Sequence, residues 1–283
     1  MPRRIWIVAI VAAITSMGVA LAPASAADPG VANGRIAFGT RANGGFNIDT
    51  VMPDGSDLKT VTSGPGFHLC PDYTPDGRQI VFCANTSGAF ELWTIKQNGG
   101  KPTQLTSCPA AHPGCFSSIP TWSPDGSKIA FSHADGFDAD DNPENEQIWV
   151  MDSDGSNAHP ITTGPAPKDQ VPDWSPDGSK ISFTMGYVGS GGIWTINADG
   201  SNPRQLTGCT ASDPTPCPGG DDWGTAWSPD GRQIVFLRDL TSLGIADRQV
   251  TVMNADGTGA HSISTPGLHA VPAWQARGVG QGG

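Results

Sequence analysis

Beyond residue 26 no stretch longer than a turn patterns as an amphipathic helix, which argues against α-helical and mixed α/β architectures. There is no Gly-x-Ser-x-Gly elbow, no His-Glu-x-x-His and no phosphate-binding Gly-rich loop. The hydrolase, zinc-protease and nucleotide-binding motifs that need those residues are therefore excluded. No Cys-x-x-Cys occurs among the six cysteines, so a metal-finger reading has no support. Cations are scarce: 16 Lys and Arg stand against 27 Asp and Glu, for a formal net charge of −11. That balance excludes nucleic acid and anionic membrane surfaces as partners and permits a cationic or metal-ion one.

The single long apolar run lies at the start. Arg3 and Arg4 precede an uncharged stretch from Ile5 to Leu21, and Ala24-Ser25-Ala26 follows as a small-x-small cleavage pattern. Residues 1–26 thus read as a secretory signal peptide, with no stable membrane insertion after cleavage. Removing its two arginines takes the net charge from −11 to −13. The expected location is outside the cytoplasm: secreted, periplasmic or in the cell envelope. Residues 27–276 read as one domain and the Gly-rich 277–283 as a disordered tail.

What is present is a repeat. Trp122-Ser123-Pro124-Asp125-Gly126 recurs at Trp174–Gly178 and Trp227–Gly231, with a variant at Tyr73–Gly77. The period is roughly 50 residues, as in propeller blades. Pro presets the first turn dihedral, Asp bonds the backbone ahead and Gly takes positive φ, so each copy predicts a β-hairpin. The Ile-x-Phe run behind each turn alternates as a half-buried strand does. Each copy offers four strands. In the third they are Ile119–Ser123, Lys128–Ser132, Gln147–Met151 and Pro160–Thr162. Asp-Gly turns such as Asp152–Asn157 and Asn197–Asn202 join the last two; they echo calcium loops, but their recurrence reads as hairpin chemistry.

The ends are partial copies. Gly34–Phe38, Asn47–Met52 and Leu58–Thr62 match the second, third and fourth strands, and Val271–Trp274 matches a first strand. Together they complete one unit. The predicted fold is an all-β, five-bladed β-propeller of four-stranded antiparallel blades, closed by the C-terminal strand completing the N-terminal blade. Six blades is the alternative count.

The repeat Trp-Ser-Pro-Asp-Gly-x-x-Ile-x-Phe, followed by an Asp-Gly turn and Leu-Thr, resembles the WD40-like repeat of TolB-type β-propellers. It is also similar to the propeller part of prolyl-oligopeptidase-type peptidases. The resemblance covers about Asn33 to Trp274 and implies a scaffold. Relative to TolB-type proteins, which the resemblance gives an α/β domain and six blades, the repeats here begin just after the leader and number five.

Candidate site residues follow by counting back from each aromatic. Five positions before it stand His269, His68, Ser117, Asp169 and Asp222 in blade order. Imidazoles and carboxylates at a channel mouth suit a divalent metal, a ligand or acid–base work; the other reading is local capping of backbone groups. One position before the aromatic, Asp72 and Asp173 form a candidate carboxylate pair in the channel, able to hold an ion or to act on a sugar. Trp223, beside Asp221 and Asp222, is the candidate ligand aromatic, whereas the recurring tryptophan rows read as inter-blade core. The insertion at 135–146 offers Asp138, Asp140, Asp141 and Asn142 as a candidate Ca2+ loop, against a solvated acidic loop. No cofactor is assigned with certainty; Ca2+ or another divalent metal is the candidate. In an exported chain the cysteines read as disulfides: Cys70 with Cys83 across a hairpin, Cys108 with Cys115, and Cys209 with Cys217.

The expected function is a secreted, monomeric binding or scaffold module that takes a protein or peptide at the channel mouth or a face of the ring. The alternative is an enzyme, a glycan hydrolase or lyase with a His/Asp site at the mouth.

Overall fold

In the computed structural model, residues 34–42, 44–109, 114–137, 143–163, 169–186, 191–208, 221–240 and 248–264 are described. Residues 1–26, Cys209, Cys217, Asp138–Asn142, His269, Val271–Trp274 and residues 277–283, on which sequence expectations fell, lie outside them. Among the described residues every regular element is a strand, and none is a helix long and apolar enough to cross a membrane.

The strands form five antiparallel sheets, consecutive in sequence, and one two-stranded ribbon. The first sheet has three strands: β1 (Ile36–Ala42), β2 (Gly45–Val51) and β3 (Lys59–Thr60). The second has β4 (His68–Tyr73), β5 (Gln79–Ala84), β6 (Glu91–Lys96) and β7 (Thr103–Gln104). The third has β8 (Phe116–Trp122) and β9 (Lys128–Ala134), then, after the ribbon β10 (Gly136–Phe137) and β11 (Pro143–Glu144), β12 (Gln147–Asp152) and β13 (His159–Pro160). The fourth has β14 (Asp169–Trp174), β15 (Lys180–Met185), β16 (Gly192–Asn197) and β17 (Arg204–Gln205). The fifth has β18 (Asp221–Trp227), β19 (Gln233–Asp239), β20 (Arg248–Asn254) and β21 (His261–Ser262). The four-stranded antiparallel sheets agree with the expected blades. First strands begin up to three residues earlier than the repeat predicted, and fourth strands are shorter.

The hairpin between the first two strands of each sheet is built as its residues dictate. In the third, Ser123 Oγ donates to Asp125 Oδ1 (2.6 Å) and accepts from Lys128 N (2.9 Å), while Asp125 Oδ1 also accepts from Ser127 N (3.0 Å). Gly126 sits at φ 70° and donates to Ser123 O (2.8 Å). The same bonds recur around Asp76, Asp177 and Asp230.

The second strands depart from expectation. Alternation predicted one solvated face, but Ile80, Val81, Phe82, Ile129, Ala130, Phe131, Ile181, Ser182 and Phe183 are all at most 1% exposed. Stacked sheets cover both faces, so only the size of the side chain alternates. The stacking repeats in detail: a Cβ added at Gly99, Gly155, Gly200 or Gly257 would lie 3.4, 2.8, 2.9 or 3.2 Å from the carbonyl oxygen of Val61, Leu105, Ile161 or Leu206 in the preceding sheet. The fifth member of that glycine row, Gly55, has open space around it, and the fifth apolar member, Ile263, is 59% exposed. Ile36 and Phe38 of β1 are 51% and 37% exposed, whereas their counterparts Ile80 and Phe82 are buried.

Candidate functional site

The first strand of each four-stranded sheet carries a β-bulge three residues before its aromatic. Register shifts occur between Leu69 and Asp72, Ser118 and Thr121, Gln170 and Asp173, and Trp223 and Thr225. The bulged residues Cys70, Ile119, Val171 and Gly224 have φ of 54°, 50°, 55° and 66°. For β-branched Ile119 and Val171 that conformation costs on the order of 1–3 kcal/mol each. At one bulge the freed N–H finds an acceptor in the preceding sheet: Gly224 N donates to Thr184 Oγ1 (3.0 Å).

The bulge decides where the counted-back residues point. Beyond it, the mouth row turns onto its own second strand. Ser117, opposite His133, contacts His133 Nδ1 at 3.0 Å. Asp222, opposite Arg238 and 1% exposed, makes a two-pronged ion pair with it at 2.8 and 2.9 Å. That bonding raises the guanidinium pKa further above its ordinary value. His68, 5% exposed, stands edge-on to Phe82 with ring centroids 5.9 Å apart. Burial lowers its pKa, which favours the neutral ring, and its Nδ1 has no hydrogen-bond partner among the described residues. Asp169 is the first residue of β14; His269 lies outside the described residues. Among those residues, the one group of three metal-donor side chains within 4.8 Å is Glu91 with Cys108 and Cys115. The two sulfurs are joined to each other and Glu91 accepts from Thr106 Oγ1 and Cys108 N, so these donors are already engaged.

On the near side of the bulge, Asp72 and Asp173 each span a seam between sheets. Asp72 Oδ2 accepts from Trp122 N, and Asp173 Oδ2 from Trp227 N, both at 2.8 Å. Burial raises Asp72 to about 6 and Asp173 to about 7, and Asp173 also feels the Asp72 charge. The two carboxyls, in non-adjacent sheets, are thus close enough to share one electrostatic environment.

Trp223 lies opposite Leu237, partly exposed, with the Arg248 guanidinium 5.5 Å from its ring centre; Arg248 in turn pairs with Asp239 at 2.8 Å. The recurring Trp122, Trp174 and Trp227 are 6–7% exposed and lie in the packed interior. Of the expected disulfides, Cys108–Cys115 is formed, with Cα atoms 5.7 Å apart. Cys70 and Cys83 are thiols, a correction with a local cause: the bulge sets Leu69, not Cys70, opposite Cys83. The Cys83 thiol donates instead to the Cys70 sulfur, lowering the Cys70 pKa and raising that of Cys83. The described flanks of the acidic insertion pair as the β10–β11 ribbon, with Asn145 Nδ2 donating to Asp135 at 2.9 Å.

Sequence reasoning missed a cavity of about 630 Å3 between the third and fourth sheets, at the end carrying the Asp-Gly turns. Its apolar walls are Pro124, Val150, Trp174 and Pro176, and Asp125, Asp177 and Asp199 stand at its rim. These carboxyls are held below their ordinary pKa by neighbouring serine hydroxyls first, Asp125 at about 2. No motif marks such a cleft, because it arises between two repeats rather than within one.

Radially repeated four-stranded antiparallel sheets with this turn chemistry define a β-propeller of the WD40-like kind. The TolB beta propeller domain model matches residues 110–278. The chain belongs to that family. The Tol-Pal system protein TolB of Anaeromyxobacter dehalogenans is 34% identical over 147 residues, 52% of this chain and 31% of the relative. The chain therefore spans about a third of the length of that curated relative. In fold it is similar to TolB from Acinetobacter baumannii (TM-score 0.65, 22% identity, 84% of this chain and 54% of that one). It is similar also to an oligogalacturonate lyase from Vibrio parahaemolyticus (TM-score 0.59, 16% identity, 81% and 61%).

Proposed function

We propose that this chain is an exported propeller that holds a partner protein or peptide against the turn-bearing face of its ring. The observation that carries the reading is the cleft of about 630 Å3 between the third and fourth sheets, apolar within and acidic at its rim. Relatives named for the Tol-Pal system, an assembly of proteins, agree with it. The signal-like start at residues 1–26 supports export to the periplasm or beyond. The ring has five blades, and Val271–Trp274 completes the first by pairing with the free edge of β1. The exposed Ile36 and Phe38 beside that edge, and the open space at Gly55, support this closure.

The binding reading is preferred to a glycan hydrolase or lyase because Asp222 is committed to Arg238 and buried with it. A ligand or metal at the mouth would have to be held by His68, Asp169 and His269 with Trp223 beside them. Ca2+ would be held by the Asp138–Asn142 loop. To test the binding reading, a photo-crosslinking residue is placed at Ser127, an exposed lining residue of the cleft whose repeat counterparts include Arg78 and Arg232, and, as control, at the exposed Thr103. Crosslinking in the producing cell's envelope should yield one discrete adduct from position 127 and none from 103. No adduct above background from 127, or the same adducts from both, would overturn the reading.

A further inference from the structure

The molecule carries its own model of what the cleft between the third and fourth sheets would hold. At the seam between the fourth and fifth sheets, Arg204 opens β17 and reaches across, Nη2 donating to the carbonyl oxygen of Asp256 at 3.0 Å. Asp256 belongs to the Asp-Gly turn of the next sheet, and its repeat counterpart in the fourth sheet is Asp199. At the seam between the third and fourth sheets the residue equivalent to Arg204 is His159, which opens β13. Its Nδ1 is 2.7 Å from Asn157 O in its own sheet, so its ring turns back instead of crossing. The cleft of about 630 Å3 lies there, with His159 and Asp199 among its lining residues.

The unfilled position has the chemistry of an arginine seat. Asp177 and Asp199 each spend Oδ1 on the serines of their own turns, and Oδ2 of each accepts no hydrogen bond among the described residues. Both turns sit at the rim, with Pro124, Pro176 and Trp174 as walls. Lys128, which also lines the cleft, is paired with Asp152 at 2.9 Å, so its charge is already balanced. A guanidinium is planar, carries a fork of donors and lies against aromatic and apolar surface at low desolvation cost, which a lysine ammonium does not do as well.

We propose that the cleft between the third and fourth sheets is a docking slot for an arginine side chain of a partner protein, taking the place that Arg204 fills one seam further on. This rests on the binding-module reading above and specifies the partner's chemistry. The full chain, isotope-labelled, is titrated with N-acetyl-arginine amide and with the uncharged isostere N-acetyl-citrulline amide while backbone and indole N–H resonances are followed. Arginine should give saturable shifts at Gly178, Gly200 and the Trp174 indole; citrulline should give none at equal concentration. Asp199→Asn, which keeps the turn's acceptor, should weaken binding about tenfold, the worth of one charge-assisted bond.

Two further variants separate the slot from general attraction to an acidic protein. His159→Arg should supply a resident guanidinium and abolish the shifts. Arg204→Ala should open the next seam and add saturable shifts at Gly231 and Gly257. Shifts that fail to saturate, that spread equally to the Asp54 and Asp76 turns, or that persist in His159→Arg would overturn the slot. Should the photo-crosslinked partner of position 127 still form in His159→Arg, the slot is lost while the binding-module reading stands.

Discussion

Asp173 Oδ2 accepts a hydrogen bond from the backbone N–H of Trp227, 2.8 Å away in the next sheet, and Asp72 does the same for Trp122. Each carboxyl joins two blades through a group that recurs in every repeat. Both keep some contact with solvent, yet burial dominates and raises them to about 7 and about 6. A folded-state pKa raised above the unfolded value means that ionisation is penalised in the fold. The penalty is absent below about pH 4 and grows as pH rises through 6 and 7, to at most roughly 3 and 4 kcal/mol for the two groups.

Asp173→Asn should therefore change stability with pH in a definite direction. Asn keeps the acceptor for Trp227 N–H and cannot ionise. The variant should equal the parent near pH 3 and exceed it by about 1–3 kcal/mol at pH 8, where the parent carboxyl is charged. Urea denaturation of both proteins across that range measures the difference. A difference that stays flat with pH would remove the raised pKa from the account.

Glycines in the last turn of each sheet offer a second test, of stacking. Gly155 has φ 89° and Leu105 O would lie 2.8 Å from an added Cβ; Gly257 has φ 86° and Leu206 O 3.2 Å away. Gly155→Ala suffers both the left-handed backbone and the clash and should lose about 2–4 kcal/mol, of which roughly 1–2 is backbone. Gly44→Ala, at φ 84° with nothing within 4 Å, should lose the backbone part alone. Equal losses in the two variants would mean that the seam yields freely at Leu105.

The repeat and its turns were legible because they are local: Ser123, Asp125 and Gly126 satisfy one another within six residues, and four copies repeat the pattern. Burial of both faces was less legible, since a neighbouring blade leaves only a size alternation in Ile-x-Phe. The bulge was the main blind spot. Gly224 is its one sequence signal; Cys70, Ile119 and Val171 at positive φ give none. Counting back one residue from the aromatic stays short of the bulge; Asp72 and Asp173, expected as a channel pair, each accept a backbone N–H across a seam, which the count does not foresee. Counting back five crosses the bulge, and there Ser117 and Asp222 meet His133 and Arg238 of their own second strands, partners that the count does not reveal. The cleft left no trace because it belongs to two repeats at once.

The Asp222–Arg238 pair yields a third prediction. Asp222 is 1% exposed, and the Arg238 side chain 24%. Asp222→Ala strands a part-buried guanidinium and should cost about 3–5 kcal/mol, whereas the double variant Asp222→Ala/Arg238→Met should recover most of that. Chemical denaturation of the four proteins of this cycle gives the coupling energy. A near-zero coupling would free Asp222 for a ligand at the mouth and reopen the site reading.

Ring closure gives the fourth. If Val271–Trp274 pairs with β1, Trp274 occupies the place of Trp122, Trp174 and Trp227 and covers Ile36 and Phe38, which are otherwise 51% and 37% exposed. Trp274→Ala should then cost about 3–5 kcal/mol, the usual loss for a buried tryptophan. Truncation after Ser264 should cost more and expose the edge of β1, a template for association between chains. Truncation after Arg277 should change nothing, because the Gly-rich tail has no place in the closing strand. Urea midpoints, with light scattering to follow association, separate these outcomes. A chain ending at Ser264 that remained monomeric and as stable as the full chain would show that the first blade stands complete with three strands, and the five-bladed ring closed by its C-terminus would have to be abandoned.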